Sequence, residues 1–435
     1  MANLSSSLLQ DLIRLSEPLK ESLLKTHYAP PETYATFSVK SELISLFPDA
    51  TISDAALPTK IKDFALCCAA LASASNSTSQ HLLWIPSALS IRAASALEEF
   101  STAYYGDQDD AHAKCSRKGV AELELDLRGA ADNGKKLLIV LMPEIFPLLK
   151  DRIKESAIDA KDENDGVSAA SARAPVASAV LAAYQLRWIV EKAIVDAPYI
   201  GKLCLLMIPC LLTALDHWSP EVKGQGMISF IHLAKTANAA EIGGYADVVL
   251  DACCQNIASD DEIWHYVVEM SVLLIALLQK NNPRSSWCEK LLGEMLSHLE
   301  RQPRNKQRRV VWLTHSEPLL NTLGLVLLAH FRRIFPLFFK WMHADDDETV
   351  LLVLERLMAV VRLTWIRNSP HIKRLIDELV TLYKDAALKV AREDIRSLTL
   401  QILKLIQTSK RQQFDATWLK YKDDPNLAPL VPSLT

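Results

Sequence analysis

Residues 208–233 read IPCLLTALDHWSPEVKGQGMISFIHL and contain two apolar stripes on either side of a short polar corner. Both stripes repeat with the three- and four-residue spacing of one helix face. The first consists of Ile208, Leu211, Leu212 and Leu215, and the second of Val222, Gly226, Phe230 and Leu233. We therefore predict two amphipathic helices that pack against each other next to this corner.

The corner itself has the features of a helix N-terminus. Ser219 stands at the N-cap position, and Pro220 follows at the first helical position, where its missing N–H costs nothing. Glu221 then faces the positive end of the helix dipole. Gly226 lies on the apolar stripe of the second helix, where glycine costs about 1 kcal/mol of helix propensity. We expect this glycine to let the two helices approach closely.

The same arrangement recurs toward the C-terminus. In one copy the stripes comprise Phe335, Phe338, Phe339 and Met342, then Val350, Leu354, Leu357 and Val361, and Pro336 takes the place of Pro209. A third copy opens at Ser369 and Pro370 and comprises Leu375, Ile376, Leu379 and Leu382, then Ile395, Leu398, Ile402 and Leu405. A further helix pair is predicted at 245–257 and 263–278. Pairs with a period of about 40 to 47 residues are typical of HEAT and armadillo repeats.

The composition favours a helical protein with a sizeable core. Glycine accounts for only 12 of 435 residues, and 49% of the residues are hydrophobic, so tight turns must be few. From about residue 176 to 410 no segment shows the strict alternation of a β-strand. The predicted fold class is all-α, a HEAT/armadillo-like α-α superhelix of stacked antiparallel helix pairs.

Changes in composition divide the chain into three predicted regions. Residues 1–134 form a weakly repetitive helical region that ends in a polar loop at 106–134. Residues 135–410 form the solenoid, with room for about six helix pairs, and an acidic loop at 155–175 interrupts it. Residues 411–435 form a C-terminal tail.

Charge and cysteine usage indicate an intracellular protein. The net charge is −4, but residues 1–283 carry 24 Lys+Arg against 35 Asp+Glu, and residues 284–435 carry 24 against 17. The eight cysteines include no Cys-x-x-Cys pair, which is typical of buried, reduced thiols. The longest apolar run, 203–215, is too short to span a bilayer. We expect a cytoplasmic or also nuclear protein with no membrane partner.

The sequence contains no convincing catalytic, cofactor or metal site. Asp109, Asp110, His112 and Cys115 lie close together, but their spacing matches no zinc pattern. His217, His265 and His315 each lack a paired nucleophile. The stretch 224–226, Gly-Gln-Gly, lacks the preceding strand of a phosphate-binding loop. We expect a protein without enzymatic activity and without a cofactor.

A run of cations is the one candidate binding site for a partner. It lies in a predicted loop between helices and consists of Arg301, Arg304, Lys306, Arg308 and Arg309. The loop is open to three interpretations: a solvated loop, a contact to an acidic protein, and, least favoured, a contact to nucleic acid.

The residues that define the first repeat also resemble a known family. The HEAT consensus places an acid at the end of the first helix and Val-Lys or Val-Arg at the start of the second, as Asp216, Val222 and Lys223 do here. Such an acid can accept hydrogen bonds from backbone N–H groups of the next repeat, and the cation can pair along the stack.

This stretch resembles the Tti-two family of TELO-two-interacting proteins, in which a proline opens Leu-Leu-Thr-x-Leu-Asp-Asp. The residues that match are Pro209, Leu211, Leu212, Thr213, Leu215, Asp216, Pro220, Val222, Lys223 and Gly226. His217 replaces the second acid of the family pattern. The resemblance covers 180–300, continues less clearly to 410, and does not extend to residues 1–130.

The resemblance implies a non-enzymatic scaffold. Tti-two proteins form the Triple T complex with TELO-two and Tti-one, a cochaperone that stabilises and assembles phosphatidylinositol-kinase-related protein kinases with the heat-shock-protein-ninety system. Two alternatives share the predicted fold: a transport or phosphatase adaptor built from HEAT repeats, and a HEAT-like protein that binds nucleic acid.

Overall fold

The computed structural model describes residues 2–28, 38–48, 56–106, 133–155, 176–193, 200–364 and 369–430. Regular structure in these ranges is entirely helical, which confirms the predicted all-α fold class. Most of the predicted loop at 106–134, and the predicted loop at 155–175 from residue 156 onward, lie outside the described residues.

The chain divides into two compact units, Met1–Ala252 and Cys253–Thr435. The boundary lies within the predicted solenoid, whereas the sequence placed a division at residue 134. The physical reason lies in packing inside the first unit, where helices from before and after residue 134 contact each other extensively.

The first unit is a two-layered stack of helices. Its helices are α1 (Ala2–Lys25), α2 (Val39–Ser45), α3 (Leu57–Ser73), α4 (Ser87–Gly106), α5 (Asn133–Glu155), α6 (Val176–Ala193), α7 (Ile200–Leu215), α8 (Pro220–Thr236) and α9 (Ala239–Ile242), and α10 (Ala246–Asn256) crosses the unit boundary. Helices α3, α6 and α8 pack side by side in one layer, and α4, α5 and α7 in the other. The alanine-rich α6 is buried along most of its length, because it contacts both layers.

The second unit repeats this arrangement. Its helices are α11 (Trp264–Leu278), α12 (Ser286–Arg301), α13 (Lys306–His315), α14 (Glu317–Leu323), α15 (Phe331–Met342), α16 (Asp347–Thr364), α17 (Ile372–Asp385), α18 (Arg392–Ser409) and α19 (Arg411–Trp418). Helices α11, α13, α16 and α18 follow one another in one layer, and α12 packs on α15, and α17 on α19, in the other. Gly324 has a φ of 50° and ends α14, a backbone conformation that favours glycine.

The predicted stripes form the cores of both units. All eight apolar residues of the α15–α16 copy are buried, including Phe338, Leu354 and Leu357 at 0% exposure. In the third copy Leu398 and Leu405 are only half-buried. Residues 411–430 of the predicted tail contain α19 and two short 3-10 helices, and Phe414, Leu427 and Leu430 there are buried.

One described segment, Glu317–Met342, is long and apolar enough to cross a membrane by length and composition alone. It comprises α14, a 3-10 helix at Gly324–His330, and α15. Half of its most apolar window is buried inside the protein. Its apolar side chains therefore contribute to the packing of the second unit.

Candidate interaction surface

The corner between α7 and α8 holds the residues on which the repeat assignment rests. Ser219 is the N-cap residue of α8 and Pro220 its first helical residue, as predicted, but the Ser219 side chain makes no capping hydrogen bond. Instead, the backbone N–H of Ser219 donates to Nδ1 of the buried His217 at 3.0 Å. Ser219 thus occupies the predicted N-cap position, and the contact that holds its backbone in this corner is the one to the imidazole of His217.

Gly226 brings α7 and α8 into close contact, as predicted. A Cβ atom at this position would lie 3.0 Å from Cβ of Ala214 and 3.4 Å from the carbonyl oxygen of Leu211. Val222 and Leu215 are fully buried on the same interface, and Pro209 lies inside α7. The sequence motif thus describes a tight helix hairpin.

The acid of the motif does not play its predicted role. Asp216 is exposed, and its carboxylate makes no hydrogen bond to another described residue. A different acid, Glu221 in the first turn of α8, joins two segments of the first unit. Its Oε2 accepts a hydrogen bond at 3.1 Å from the hydroxyl of Ser79, which lies between α3 and α4.

In the second unit, by contrast, corner acids join each repeat to the next. Nε of Arg308 donates to Oδ1 of Asp261 at 2.5 Å, and its Nη2 donates to the carbonyl of Ser259 at 2.9 Å. The guanidinium also lies over the ring of Trp264, with 5.1 Å between their centres. The hydrogen bond from Arg308 lowers the pKa of Asp261. Arg308 is almost fully buried, and this pairing compensates its charge.

A second link joins α13 to the α15–α16 corner. Nη2 of Arg309 donates to Oδ2 of Asp346 at 2.5 Å. Oδ1 of Asp346 accepts from the backbone N–H and hydroxyl of Thr349, at 2.9 and 2.7 Å. Burial raises the pKa of Asp346, but hydrogen bonds from Thr349 and Arg309 outweigh it and hold the pKa far below its ordinary value. Lys306 also pairs with this carboxylate at 3.4 Å.

A third link joins that corner to the corner between α17 and α18. Nζ of Lys389 donates to the carbonyls of Ala344 and Asp345, at 2.6 and 2.9 Å. The backbone N–H of Ala391 donates to Oδ2 of Asp347 at 2.8 Å. This last bond is the type predicted for HEAT corners, an acid that accepts from the backbone of the neighbouring repeat. We call the three links together, through Asp261, Asp346 and Asp347, the corner ladder.

Three of the five cations of the predicted basic loop belong to the corner ladder. Lys306, Arg308 and Arg309 lie in the first turn of α13 and not in a loop, and all three form ion pairs. Arg301 ends α12, and Arg304 lies in the connection between the helices; both are exposed. Arg301 and Arg304 are therefore placed to meet a partner, and so is Lys306, whose side chain stays 52% exposed although it pairs with Asp346 and Glu348.

The structure brings two of the single histidines together. Burial lowers the pKa of His265 on α11, and the nearby His315 on α13 lowers it further. Within the described residues no group of three or more potential metal ligands is found. Asp109, Asp110, His112 and Cys115, whose spacing matches no zinc pattern, lie outside the described residues.

One feature of the surface was missed by the sequence analysis. Leu388 and Val390, in the corner between α17 and α18, are 92% and 99% exposed. The signal in the sequence is that both positions lie between the α17 and α18 stripes and belong to neither. Trp218, in the α7–α8 corner, is 46% exposed.

No protein-family model matches the chain. The Arabidopsis thaliana protein named "Uncharacterized protein At2g39910" is 53% identical over 428 residues, which cover 98% of this chain and 95% of that protein. Among solved structures, Kap121p matches 94% of this chain with a TM-score of 0.46 and 11% identity. The chain spans less than half the length of Kap121p, 42%. An engineered protein matches 98% of both chains with a TM-score of 0.36 and 10% identity. The structural likenesses concern the fold alone.

Proposed function

We propose that this chain, which belongs to the same protein family as the Arabidopsis thaliana protein At2g39910, is a scaffold that binds other proteins and catalyses no reaction. The observation that carries the proposal is the corner ladder. It fixes the positions of successive helix pairs in the second unit through arginine and lysine side chains that are themselves largely buried.

A stack of fixed helix pairs suits protein binding for a physical reason. Repeats that each contact only their neighbours expose long continuous surfaces. A surface that is already ordered loses little conformational freedom on association, so more of the contact energy is available for affinity. The buried ion pairs supply that order at the corners.

The more specific form of the proposal is the Tti-two role in the Triple T cochaperone. It is supported by the α7–α8 hairpin, where Pro209, Leu215, Asp216, Pro220, Val222, Lys223 and Gly226 match the family pattern. The partners would then be TELO-two and Tti-one and, through them, the large kinases and the heat-shock-protein-ninety machinery.

Affinity purification of the tagged full chain from its own cells, followed by mass spectrometry, tests both levels. The purification is run at about 0.1 M and about 0.5 M salt, because exposed charge contacts weaken over this range. Leu354→Asp, which places a charge in the core of the second unit, serves as the misfolded control. Glu355→Asp, at the adjacent exposed position, serves as the folded control.

Recovery of TELO-two, Tti-one and the kinases with the wild type and Glu355→Asp, but not with Leu354→Asp, supports the Tti-two role. Stoichiometric recovery of other proteins supports the scaffold and overturns the Tti-two role. Salt-sensitive recovery of nucleic acid without any stoichiometric protein overturns the scaffold.

A further inference from the structure

The corner between α17 and α18 presents two large apolar side chains to solvent. Leu388 and Val390 are the most exposed large hydrophobic residues among those described, at 92% and 99%. Single exposed apolar residues are common on protein surfaces. Leu388 and Val390, however, lie on either side of Lys389 in a fixed corner, and together they form a compact apolar protrusion. We call these two residues the knob.

The backbone explains why both side chains point outward. Lys389 is extended, with φ −95° and ψ 153°, and in extended backbone successive side chains alternate between opposite faces. The Lys389 side chain reaches inward to the carbonyls of Ala344 and Asp345. Leu388 and Val390 therefore share the opposite, outward face.

The knob is held in place on both sides. The Lys389 ammonium fixes its centre, and the bond from the Ala391 N–H to Asp347 fixes its C-terminal end. The backbone N–H of Lys389 also donates to the carbonyl of Ala386 at 3.0 Å. The knob is thus ordered before any partner arrives, which lowers the entropic cost of binding.

The chain after α19 packs next to the knob without covering it. Nζ of Lys384, at the end of α17, pairs with the carboxylate of Asp424, and the hydroxyl of Tyr421 donates to Oδ1 of Asp377 at 2.9 Å. The two knob residues nevertheless remain 92% and 99% exposed. Large apolar side chains that stay exposed beside packed structure are a feature of interaction sites.

The surroundings of the knob are acidic. Four exposed carboxylates lie in this corner or the one joined to it: Asp345, Asp385, Glu393 and Asp394. Arg392 offsets Glu393, with which it pairs at 3.2 Å, and Lys389 points inward. Among the described residues, Asp345, Asp385 and Asp394 have no lysine or arginine partner. The rim therefore favours a positively charged partner and disfavours an anionic lipid surface.

We propose that Leu388 and Val390 are the anchor of a docking site for an amphipathic helix of a partner protein whose apolar face is bordered by lysines or arginines. This proposal rests on the scaffold function and adds to it the site and the chemistry of the partner. Central apolar anchors within a charged rim are the usual form of an energetic hot spot, and the rim charges steer association.

Fluorescence anisotropy with the full chain and three labelled synthetic helical peptides tests the proposal. The first peptide has a leucine face bordered by lysines, and the second has a leucine face bordered by glutamates. The third contains serine and lysine, so it is basic but has no apolar face. The wild type is compared with Leu388→Ser/Val390→Ser and with Leu419→Ser, an exposed leucine elsewhere in the second unit. Because all three side chains are exposed, the variants should keep the wild-type melting temperature.

We expect the wild type and Leu419→Ser to bind the first peptide at least about tenfold more tightly than the other two peptides, and the double variant to lose at least about tenfold in affinity. Equal binding by the wild type and the double variant overturns the docking site. A concentration-dependent dimer of the wild type that the double variant abolishes also overturns it, because the occupant is then a second copy. If partners are still recovered from cells with the double variant, the scaffold stands and only the site fails.

Discussion

At the scale of single residues, the carboxylate of Asp346 holds the link between α13 and the α15–α16 corner through its bond to Arg309. Asp346→Asn keeps the shape of the side chain but leaves Arg309, whose side chain is 14% exposed, without its carboxylate. Loss of a hydrogen bond to a charged group costs about 1.5 to 3 kcal/mol. We expect a loss of this size in the free energy of unfolding of the second unit, measured by urea denaturation at neutral pH.

The same variant has a defined pH dependence. The folded-state pKa of Asp346 is depressed, so its stabilising contribution is complete above the unfolded-state pKa of about 3.9 and declines as pH falls through the folded-state pKa. The difference in stability between wild type and Asp346→Asn should therefore be constant between about pH 5 and 8 and narrow in more acidic solution. A difference that widens on acidification would contradict the assignment.

Replacement of Gly226 and of Gly293 by alanine should affect the thermal stability differently. Gly226→Ala gains about 1 kcal/mol of helix propensity, but its Cβ would press on Ala214 at 3.0 Å, and overpacking costs about 1 to 3 kcal/mol. Gly293→Ala, within α12, gains the propensity and meets only Arg333 at 3.9 Å. Thermal unfolding should show Gly226→Ala as neutral or destabilising and Gly293→Ala as stabilising. Equal stabilisation by both would exclude a close α7–α8 contact.

At the scale of helices, burial along one face decides which substitutions are tolerated. Leu354 is fully buried on α16, and its neighbour Glu355 is exposed. An aspartate at position 354 is a charge without a partner in an apolar core, which costs several kcal/mol. Glu355→Asp keeps the carboxylate that pairs with Arg356 at 3.4 Å and should change the stability by less than about 1 kcal/mol. Hydrogen exchange of α13, α16 and α18 should rise sharply in Leu354→Asp and stay unchanged in Glu355→Asp.

The helices could be predicted because their signal is local. The spacing of Val222, Phe230 and Leu233 specifies one buried face of α8 without reference to any other segment. The corner ladder could not be predicted to the residue, because Arg308 and Asp261 are 47 positions apart and their pairing depends on how two repeats stack. The sequence singled out Arg308 and Arg309 by charge, and only the packing shows that they bind other repeats of the same chain.

At the scale of the whole chain, the cysteines report on the two compact units separately. Cys67, Cys68, Cys204 and Cys210 lie in the first unit and Cys253, Cys254 and Cys288 in the second, and all seven are buried and free. Burial raises the pKa of the Cys204 and Cys210 thiols to about 12 and raises that of Cys288 as well. Since the thiolate is the reactive form, a maleimide should label these positions only when the unit around them opens.

A pair of core variants then tests whether the units open independently. In stacked-repeat proteins stability is a sum of local terms and contacts between neighbours, so damage should remain concentrated near its source. With Cys115 replaced by serine, Val222→Asp should accelerate labelling of Cys204 and Cys210 more than that of Cys288, and Leu354→Asp should do the reverse. Mass spectrometry of peptides after graded labelling measures each site. Identical acceleration of all sites by both variants would mean that the chain unfolds as one cooperative unit, and the division between Ala252 and Cys253 would then have no energetic meaning.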